Sequence, residues 1–230
     1  MLHLEVKVKG KISEVFESIQ GEGIYLGERQ LFVRFFGCNL RCKFCDTKLN
    51  HFVEYEPQGL LEKLKLYPGS YHSVSFTGGE PLLQRDFLKN ILALTHKAGF
   101  KNYLETNGTL PEALEEVIDY VDIVAMDLKL PSSTALDDYW QAHSEFLKIA
   151  SRKETFLKAV ICNSTTEKDL RVALRVIEEI DRRFVLVLQP NTGEMHAGIT
   201  EKLEEFKHIC LEHNISSRII PQMHKIYGVR

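Results

Sequence analysis

Short apolar runs alternate with amphipathic segments along almost the whole chain, and this alternation restricts the possible folds more than any other feature. Runs rich in Val, Ile, Phe and Leu predict the strands KISEVFESI, LFVRFFG, SVSFTGG, NYLETNG, DIVAMDLK, TFLKAVI and FVLVLQP. Amphipathic patterns predict the helices EPQGLLEKLKLY, LLQRDFLKNILALTHKAG, PEALEEVIDY, TALDDYWQAHSEFLKIA, EKDLRVALRVIEEIDRR and AGITEKLEEFKHICLEHN. Proline opens the first and third helix, and Gly99 closes the second.

About six strand–helix units predict an α/β fold of parallel strands with helices outside them. A doubly wound sheet and a barrel are both compatible with this pattern, and six units would leave the barrel incomplete because the closed form uses eight. The sequence has no internal repeat, low-complexity stretch or obvious linker, so we predict one domain over residues 1–230. The tail SRIIPQMHKIYGVR is strand-like in composition.

Composition and charge exclude several kinds of partner. The formal charge of −3 offers no global attraction for nucleic acid or anionic lipid. No apolar run approaches the ~20 residues that span a bilayer, and the N-terminus MLHLEVKVKGK lacks the apolar core of a signal peptide. We therefore expect a cytoplasmic protein without membrane or nucleic-acid partners, in which cysteines are ligands or thiols rather than disulfides.

Three of the five cysteines lie in the short segment GCNLRCKFCDT, directly after a predicted strand. Cys42 and Cys45 can face one way on a single turn, and Cys38 can fold back from the strand end. Thiolates so placed suit a soft metal centre: a four-iron cluster would keep one iron without a protein ligand, and zinc would need a fourth ligand such as His51. Spacing favours iron–sulfur and leaves zinc open. Buried packing is predicted for the remaining two, Cys162 and Cys210.

Polar and glycine-rich groups follow the predicted strands, at the ends where α/β architectures place their chemistry. In chain order they are Gly37-Cys38, Thr77-Gly78-Gly79-Glu80, Glu105-Thr106-Asn107, Asp127 with Lys129, and Gln189-Pro190. The pattern predicts a functional site at this edge of the sheet.

These motifs together resemble a known enzyme family. C-x3-C-x2-C after a strand, with GGEP at the end of the next, is similar to the radical S-adenosylmethionine (SAM) superfamily, in which SAM chelates the open iron. SIQGEGIYLGERQLFVRFFGCNLRCKFCDT, TGGEP, ETNGT and HKIYGVR more narrowly resemble the 7-carboxy-7-deazaguanine synthases of queuosine biosynthesis. The resemblance spans nearly the whole chain. It implies an incomplete (β/α)6 TIM-like barrel of the radical SAM type, an N-terminal strand extension and a C-terminal tail that covers the substrate.

The resemblance also implies a reaction. A carbon–nitrogen lyase of this family converts 6-carboxy-5,6,7,8-tetrahydropterin to 7-carboxy-7-deazaguanine and ammonia. Its reduced 4Fe–4S cluster cleaves SAM, and the 5′-deoxyadenosyl radical abstracts hydrogen from C6 of the pterin. The ring then contracts, hydrogen returns and SAM is regenerated. Family members require Mg²⁺ as well.

Roles for individual residues follow from the resemblance. The cluster ligands would be Cys38, Cys42 and Cys45, and the magnesium ligand would be Thr47. SAM would contact Phe44, Cys45, Asp46, Gly79, Glu105, Asp127, Lys129, Gln189 and Thr192. The pterin would contact Ile19, Gln20, Gly21, Glu22, Arg34, Thr77, His224 and Arg230. The chain departs from many relatives at Asp127, where they have serine, and lacks the aspartate that others carry near Thr192.

Two partner proteins are also expected. Arg41, Lys43, Asp46 and Lys48 form a mainly basic ring around the cluster loop, where an acidic flavodoxin-type reductant would dock. A homodimer is expected because symmetric dimers are common among soluble enzymes.

Two further interpretations remain open from the sequence. A radical SAM activase that makes a glycyl radical on a partner enzyme would share the size and the cluster motif, although QGEG, Arg34 and the HK tail suit a small carboxylated heterocycle better. A zinc-binding structural or adaptor protein would be colourless, whereas the cluster enzyme would be brown and air-sensitive. TGGEP and the polar strand ends disfavour the adaptor, since it would have no use for them.

Overall fold

The computed structural model describes residues 8–45, 47, 49–195 and 197–228, apart from the side chains at 197, 224 and 227. Its strands are β1 (Gly10–Ile19), β2 (Arg29–Phe35), β3 (Val53–Tyr55), β4 (Ser73–Gly78), β5 (Asn102–Thr106), β6 (Ile123–Asp127), β7 (Glu154–Ile161), β8 (Leu186–Pro190) and β9 (Ser217–Ile219). Its helices are α1 (Pro57–Lys65), α2 (Arg85–Lys97), α3 (Pro111–Val117), α4 (Pro131–Thr134), α5 (Trp140–Ala150), α6 (Glu167–Ile180), α7 (Ala197–Glu212) and α8 (Met223–Tyr227).

The described strands form one sheet in the order β3-β1-β2-β4-β5-β6-β7-β8-β9. From β2 to β9 neighbouring strands are parallel, and β1 pairs antiparallel with both β2 and β3. Within the described chain no pairing joins β9 back to the other edge. The six-unit, incomplete barrel with an added N-terminal strand is thus the fold that the sequence predicts, and the parallel α/β architecture is confirmed.

Side chains of the parallel strands alternate between two apolar layers. On the outer face, residues such as Phe76, Leu104 and Leu157 pack with the helices in the main core. On the inner face, Tyr103 and Phe156 belong to a second, smaller cluster. Alternation therefore gives every parallel strand one set of side chains that points into the concave side of the sheet.

The loop between β1 and β2 fills one end of this concave side. The Tyr25 ring centroid lies 5.9 Å from that of Tyr103 and 6.2 Å from that of Phe156, and its hydroxyl donates to Glu154 at the start of β7. Gly23 has φ +69°, and a Cβ there would lie 2.5 Å from the Phe156 ring. Only glycine fits this position, and the loop closes the amino-terminal end of the concave side while the other end stays open.

Local signals for helix boundaries agree with the structure. Pro57 and Pro111 stand in the first turns of α1 and α3, and Gly99 follows α2 with φ +85°. The helix predicted over residues 134–150 forms only over Trp140–Ala150, because α4 ends at Thr134, before Ala135 with its left-handed φ of 59°. In no helix of the described ranges is there a stretch long and apolar enough to cross a bilayer.

Two segments differ from the sequence-based expectation. The strand β3 was not predicted, and it pairs only with the start of β1. The strand-like tail forms a strand only over Ser217–Ile219 and then turns, beyond Pro221, into α8. Proline cannot donate to a sheet, so its position explains why the tail stops pairing there.

Candidate active site

The carboxyl ends of the parallel strands surround a cavity of about 540 Å³. Its wall combines the β1–β2 loop, the cysteine loop and the ends of β4 to β8. The predicted site residues that line it are Ile19, Gln20, Gly21, Glu22, Arg34, Cys38, Cys42, Phe44, Cys45, Thr47, Thr77, Gly79, Glu105, Asp127, Lys129 and Gln189. Thr192 does not line it, and Asp46, Arg230 and the side chain of His224 lie outside the described residues.

The cysteine loop begins directly after β2 and presents three free thiols to one cavity. The amide of Leu40 donates to Cys38 Sγ at 3.4 Å, and the amide of Cys45 donates to the carbonyl of Cys42 at 3.0 Å. Burial raises the pKa of the Cys38 and Cys42 thiols, so without a cation both favour the neutral form. Three thiols in one loop, facing one cavity, are the kind of donor set that an iron–sulfur cluster uses.

A ready-made zinc site is not present among the residues described. No three Cys, His, Asp or Glu side chains in that part of the chain are grouped closely enough to hold a metal ion. His51, the fourth ligand that a zinc site would need, is exposed and does not line the cavity. The cysteine loop therefore presents thiols and no imidazole to the cavity.

Two glycines bring the end of β4 against the cysteine loop. Gly78 has φ +123°, and a Cβ on Gly79 would lie 1.9 Å from the carbonyl oxygen of Gly37 and 3.1 Å from the amide nitrogen of Cys38. The amide of Glu80 donates to the carbonyl of Gly37 at 2.8 Å. The TGGEP motif is thus the place where two backbones touch next to the first cysteine, and a side chain would separate them.

Glu80 fastens the ends of β4 and β5 from a fully buried position. Its carboxylate accepts from the amide of Leu82 at 3.1 Å, from Thr106 Oγ1 at 2.9 Å and from the amide of Asn107 at 2.8 Å. Burial raises the pKa of Glu80 to about 7, although these donors oppose the rise. The sequence places Glu80 at a strand end without a separate role, and in the structure its hydrogen bonds hold the cavity wall together.

Asn107 connects the end of β5 to the cysteine loop and to a buried histidine. Its Nδ2 donates to Asn39 Oδ1 at 2.8 Å and lies 3.9 Å from Cys38 Sγ. Its carbonyl lies 3.2 Å from His143 Nε2. Within the described chain His143 Nδ1 has no hydrogen-bond partner, and burial lowers the pKa of this histidine to about 4. The neutral imidazole of His143 therefore lies against the carbonyl of Asn107 and helps to hold it in place.

His143 predicts a measurable pH dependence of stability. Its pKa is lower in the folded chain than the usual 6.5. The neutral ring therefore contributes fully to folding stability above pH 6.5, and this contribution is lost as pH falls towards 4. His143→Gln removes this titration and keeps a donor for Asn107. The free energy of unfolding of the variant relative to wild type should therefore be about 2–3 kcal/mol higher at pH 4.5 than at pH 7.

Urea unfolding of the cluster-free protein at both pH values measures this difference. Glu80 has the opposite sign, since its raised pKa removes stability as pH rises from 4.5 towards 7, and comparison with wild type cancels it. A difference between the two proteins that does not change with pH would contradict the assignment of a neutral buried His143.

Glu105 lies at the centre of the inner face. Its carboxylate accepts from Gln20 Nε2 at 2.9 Å, from Ser75 Oγ at 3.1 Å and from Thr77 Oγ1 at 3.2 Å. Gln20 also donates to Gln30 Oε1 at 3.0 Å. These bonds fix the floor of the cavity, with the β1–β2 loop on one side and β4 and β5 on the other.

A cluster of opposite charges lies beside Glu105. Lys129 Nζ donates to Asp127 Oδ2 at 2.8 Å, and Lys158 Nζ donates to Glu22 Oε2 at 2.9 Å. Burial alone would raise the pKa of Asp127, but the two ammonium groups outweigh it and lower that pKa. Burial would lower the pKa of Lys158, but Asp127, Glu22 and Glu105 raise it well above its usual value. Asp127, Lys129 and Lys158 are therefore charged at neutral pH.

Lys158 is the site residue that sequence reasoning missed. It interrupts the apolar run TFLKAVI in the same way that Arg34 interrupts LFVRFFG. In both strands a long cation occupies a position whose neighbours are buried, and in both the structure directs it to the cavity. The signal was therefore available from the sequence, and Arg34 was recognised by it.

Arg34 stands on β2 at the edge of the cavity. Its Nε lies 3.2 Å from Glu14 Oε2, and its guanidinium lies 5.7 Å from the centre of the Phe16 ring. The side chain is 27% exposed, so it remains accessible to a ligand in the cavity. An aromatic face and one carboxylate orient a planar donor that can still bind an anion.

Two buried acceptors in the wall lack hydrogen-bond partners among the described residues. Asp127 Oδ1 and Gln189 Oε1 are both inaccessible to solvent and accept no hydrogen bond. Buried acceptors of this kind are rare, because an unmade hydrogen bond is costly. Amino or hydroxyl donors of a bound ligand would satisfy both, which fits SAM, a molecule that carries an amino group and ribose hydroxyls.

The segment before α8 crosses the rim of the cavity. Gln222 Nε2 donates to Glu22 Oε1 at 2.8 Å, and Thr192 Oγ1 donates to Gln222 Oε1 at 2.7 Å. The amide of Met223 donates to the carbonyl of Gly21 at 2.9 Å. The C-terminal segment is thereby joined to the β1–β2 loop and to the loop after β8.

Comparisons with known proteins show the family to which the chain belongs. Residues 32–212 match the Radical SAM superfamily. The chain is 35% identical to the 7-carboxy-7-deazaguanine synthase of Geobacter sulfurreducens, covering 96% of this chain and 98% of the relative. It is 36% identical to that of Archaeoglobus fulgidus, covering 97% and 100%. The crystal structure of QueE from Escherichia coli shares the fold at 21% identity, with a TM-score of 0.67 over 94% of this chain and 95% of that one. The chain therefore belongs to the 7-carboxy-7-deazaguanine synthase family of the radical SAM superfamily.

Proposed function

We propose that the chain is a radical SAM lyase that converts 6-carboxy-5,6,7,8-tetrahydropterin to 7-carboxy-7-deazaguanine and ammonia, with SAM used catalytically. The observation that carries this proposal is the near-full-length similarity to relatives named for that product. Membership of the superfamily brings a 4Fe–4S cluster and SAM. When bound, these supply the 5′-deoxyadenosyl radical that abstracts hydrogen from C6 of the pterin.

The cysteine loop and the adjacent wall would hold the cluster and SAM. Cys38, Cys42 and Cys45 are the proposed cluster ligands. Asp127 Oδ1 and Gln189 Oε1, which accept no hydrogen bond, would accept from SAM, and Gly79, where β4 touches the cysteine loop, would contact it. Further proposed SAM contacts are Phe44, Asp46, Glu105, Lys129 and, from the rim, Thr192.

The opposite wall would bind the pterin. Gln20 and Thr77 donate to Glu105, and Gln20 Oε1 accepts from the amide of Glu22, so both side chains are fixed in the wall that would face a flat heterocycle. Arg34 would pair with the substrate carboxylate. The other proposed substrate contacts are Ile19, Gly21, Glu22, His224 and Arg230.

Magnesium would bind beside the cysteine loop, near the pterin. Thr47 lines the cavity next to the cysteine loop, and a hydroxyl oxygen is a ligand that Mg²⁺ accepts together with oxygens of a substrate. Thr47 would hold the ion, which would supply positive charge to oxygens of the substrate.

A reductant and a second copy of the chain are the proposed protein partners. Arg41 and Lys43 are exposed beside the cluster loop and, with Lys48, would attract an acidic flavodoxin-type protein. Unchanged flavodoxin-driven turnover in a Lys43→Glu, Lys48→Glu double variant would contradict this. We also propose a homodimer, and a single domain over residues 1–230 because the described strands share one sheet.

Replacing Arg34 should weaken substrate binding selectively. Arg34→Met removes a charge-assisted hydrogen bond of about 1.5–3 kcal/mol, so we expect the KM for the pterin to rise about 10- to 100-fold. Arg29→Met is the matched control, since Arg29 lies on the same strand and pairs with Glu17 away from the cavity. Steady-state kinetics at saturating SAM measures both. Equal KM values for Arg34→Met and wild type would show that this arginine does not bind the carboxylate.

Anaerobic turnover tests the function itself. The reconstituted protein would be supplied with SAM, Mg²⁺, dithionite and 6-carboxytetrahydropterin, and the products followed by mass spectrometry. We expect a deazaguanine carboxylate without stoichiometric loss of SAM. A brown protein that cleaves SAM and leaves the pterin intact would support the activase instead, and a colourless zinc protein would support the adaptor.

A further inference from the structure

Lys158 occupies an unusual position for a lysine. On β7 it shares the inner face with Phe156, and its side chain is 6% exposed. Its Nζ lies 2.9 Å from Glu22 Oε2, 3.7 Å from Asp127 Oδ1 and 4.0 Å from Glu105 Oε2. One buried cation therefore faces three carboxylates of the cavity, and it contacts only Glu22 at hydrogen-bond distance.

Glu22 connects Lys158 to the C-terminal segment. Its second oxygen, Oε1, accepts from Gln222 Nε2 at 2.8 Å, and Gln222 Oε1 accepts from Thr192 at 2.7 Å. A continuous series of polar contacts thus runs from the floor of the cavity, at Lys158, to its rim. Since both Glu22 oxygens have protein partners, the carboxylate is oriented before any ligand arrives.

We propose that Lys158 is a positioning residue that fastens the C-terminal segment over the cavity through a clasp made of Lys158, Glu22 and Gln222. Lys158 offsets the charge of Glu22 and fixes the orientation of its carboxylate, and Glu22 in turn accepts from Gln222. Besides its proposed direct contact, Glu22 thereby also acts on the substrate through the segment that it holds. The kinetic part of this inference rests on the proposed function, whereas the clasp itself does not.

A compact ammonium on a long stem suits this role. It reaches Glu22 from the interior of the barrel while staying close enough to Asp127 and Glu105 to offset their charge. Without it, three carboxylates would share a buried space and repel one another. Glu22 would then turn away from the floor, and Gln222 would lose the partner that holds it.

Amide hydrogen exchange in the C-terminal segment tests the clasp directly. In the reconstituted enzyme with SAM bound, Lys158→Met should speed exchange of peptides spanning residues 217–228 at least tenfold. Gln222→Ala should do the same, because it breaks the clasp near the surface without leaving a buried charge. Lys153→Met is the control: Lys153 lies just before β7, is half-buried and donates to the carbonyl of Asp119.

Kinetics provides the second readout. Lys158→Met and Gln222→Ala should each raise the KM for the pterin at least tenfold and change kcat less than threefold. Glu22→Gln added to Lys158→Met removes the uncompensated charge, so the double variant should be less impaired than the two single losses multiplied. General structural damage would lower kcat and would not show this rescue.

The outcomes separate the possible failures. Unchanged exchange at residues 217–228 in Gln222→Ala, or strictly multiplicative effects of the Glu22 and Lys158 changes, would overturn the clasp. If Lys158→Met does not fold, the Gln222→Ala result decides alone. If Gln222→Ala exchanges faster but the wild-type enzyme forms no deazaguanine, the clasp is kept and the proposed function is rejected.

Discussion

Cys42→Ala is expected to abolish turnover and to remove the iron from the protein. The cysteine loop brings three thiols to one cavity, and three is the full set of protein ligands that the family motif provides. With two thiolates left, a four-iron cluster would have two irons without protein ligands, and it would not be retained. Iron and sulfide content, visible absorption and the rate of SAM cleavage, all measured after anaerobic reconstitution, report the loss.

Cys210→Ala is the control for this experiment. Cys210 is fully buried in α7 and packs in the main core, away from the cavity. Its replacement should cost about 1 kcal/mol of stability from the small void it leaves, and it should keep all of the iron. A brown Cys42→Ala protein with wild-type iron content would show that the cluster ligands are misassigned.

Gly79→Ala should push the end of β4 away from the cysteine loop. Its new methyl group would stand 1.9 Å from the Gly37 carbonyl oxygen and 2.4 Å from the carbonyl carbon, and both atoms are backbone. Neither can move without displacing Cys38, which follows directly. We expect a loss of about 3 kcal/mol or more in stability, and at least a tenfold weaker affinity for SAM. Thermal unfolding and equilibrium SAM binding measure these two effects.

Gly59→Ala provides the matched comparison. Gly59 lies inside α1, and a Cβ there would meet nothing within 4 Å. Alanine is the better helix former, so this variant should be about 0.5–1 kcal/mol more stable and should bind SAM normally. Wild-type stability and SAM affinity in Gly79→Ala would mean that the close approach of the two backbones is not needed.

Much of the fold could be predicted because parallel strands leave strong local signals. Strands covered on both faces read as continuous apolar runs, and the helices between them show amphipathic periodicity. The polar residues at the strand ends then identified the cavity, since that edge is common to all parallel strands. Arg34 was found in the same way, as a cation in an otherwise apolar strand.

The remaining parts depend on contacts that no local pattern encodes. β3 exists only because it pairs with β1, and the path of Tyr25 into the barrel depends on Tyr103 and Phe156, far away in the sequence. Gln222 resembles any polar tail residue until the structure places it between Glu22 and Thr192. Long-range pairing decides all of these, and propensity alone could not predict them.

The most direct test of the account follows one hydrogen atom. We would supply the reconstituted enzyme with 6-carboxytetrahydropterin deuterated at C6, stop the reaction after many turnovers and analyse SAM and product by mass spectrometry. If SAM and the pterin share the cavity as proposed, deuterium will accumulate at the 5′ carbon of recovered SAM while 7-carboxy-7-deazaguanine forms. Product formation with unlabelled SAM, or consumption of SAM with the pterin intact, would contradict the account.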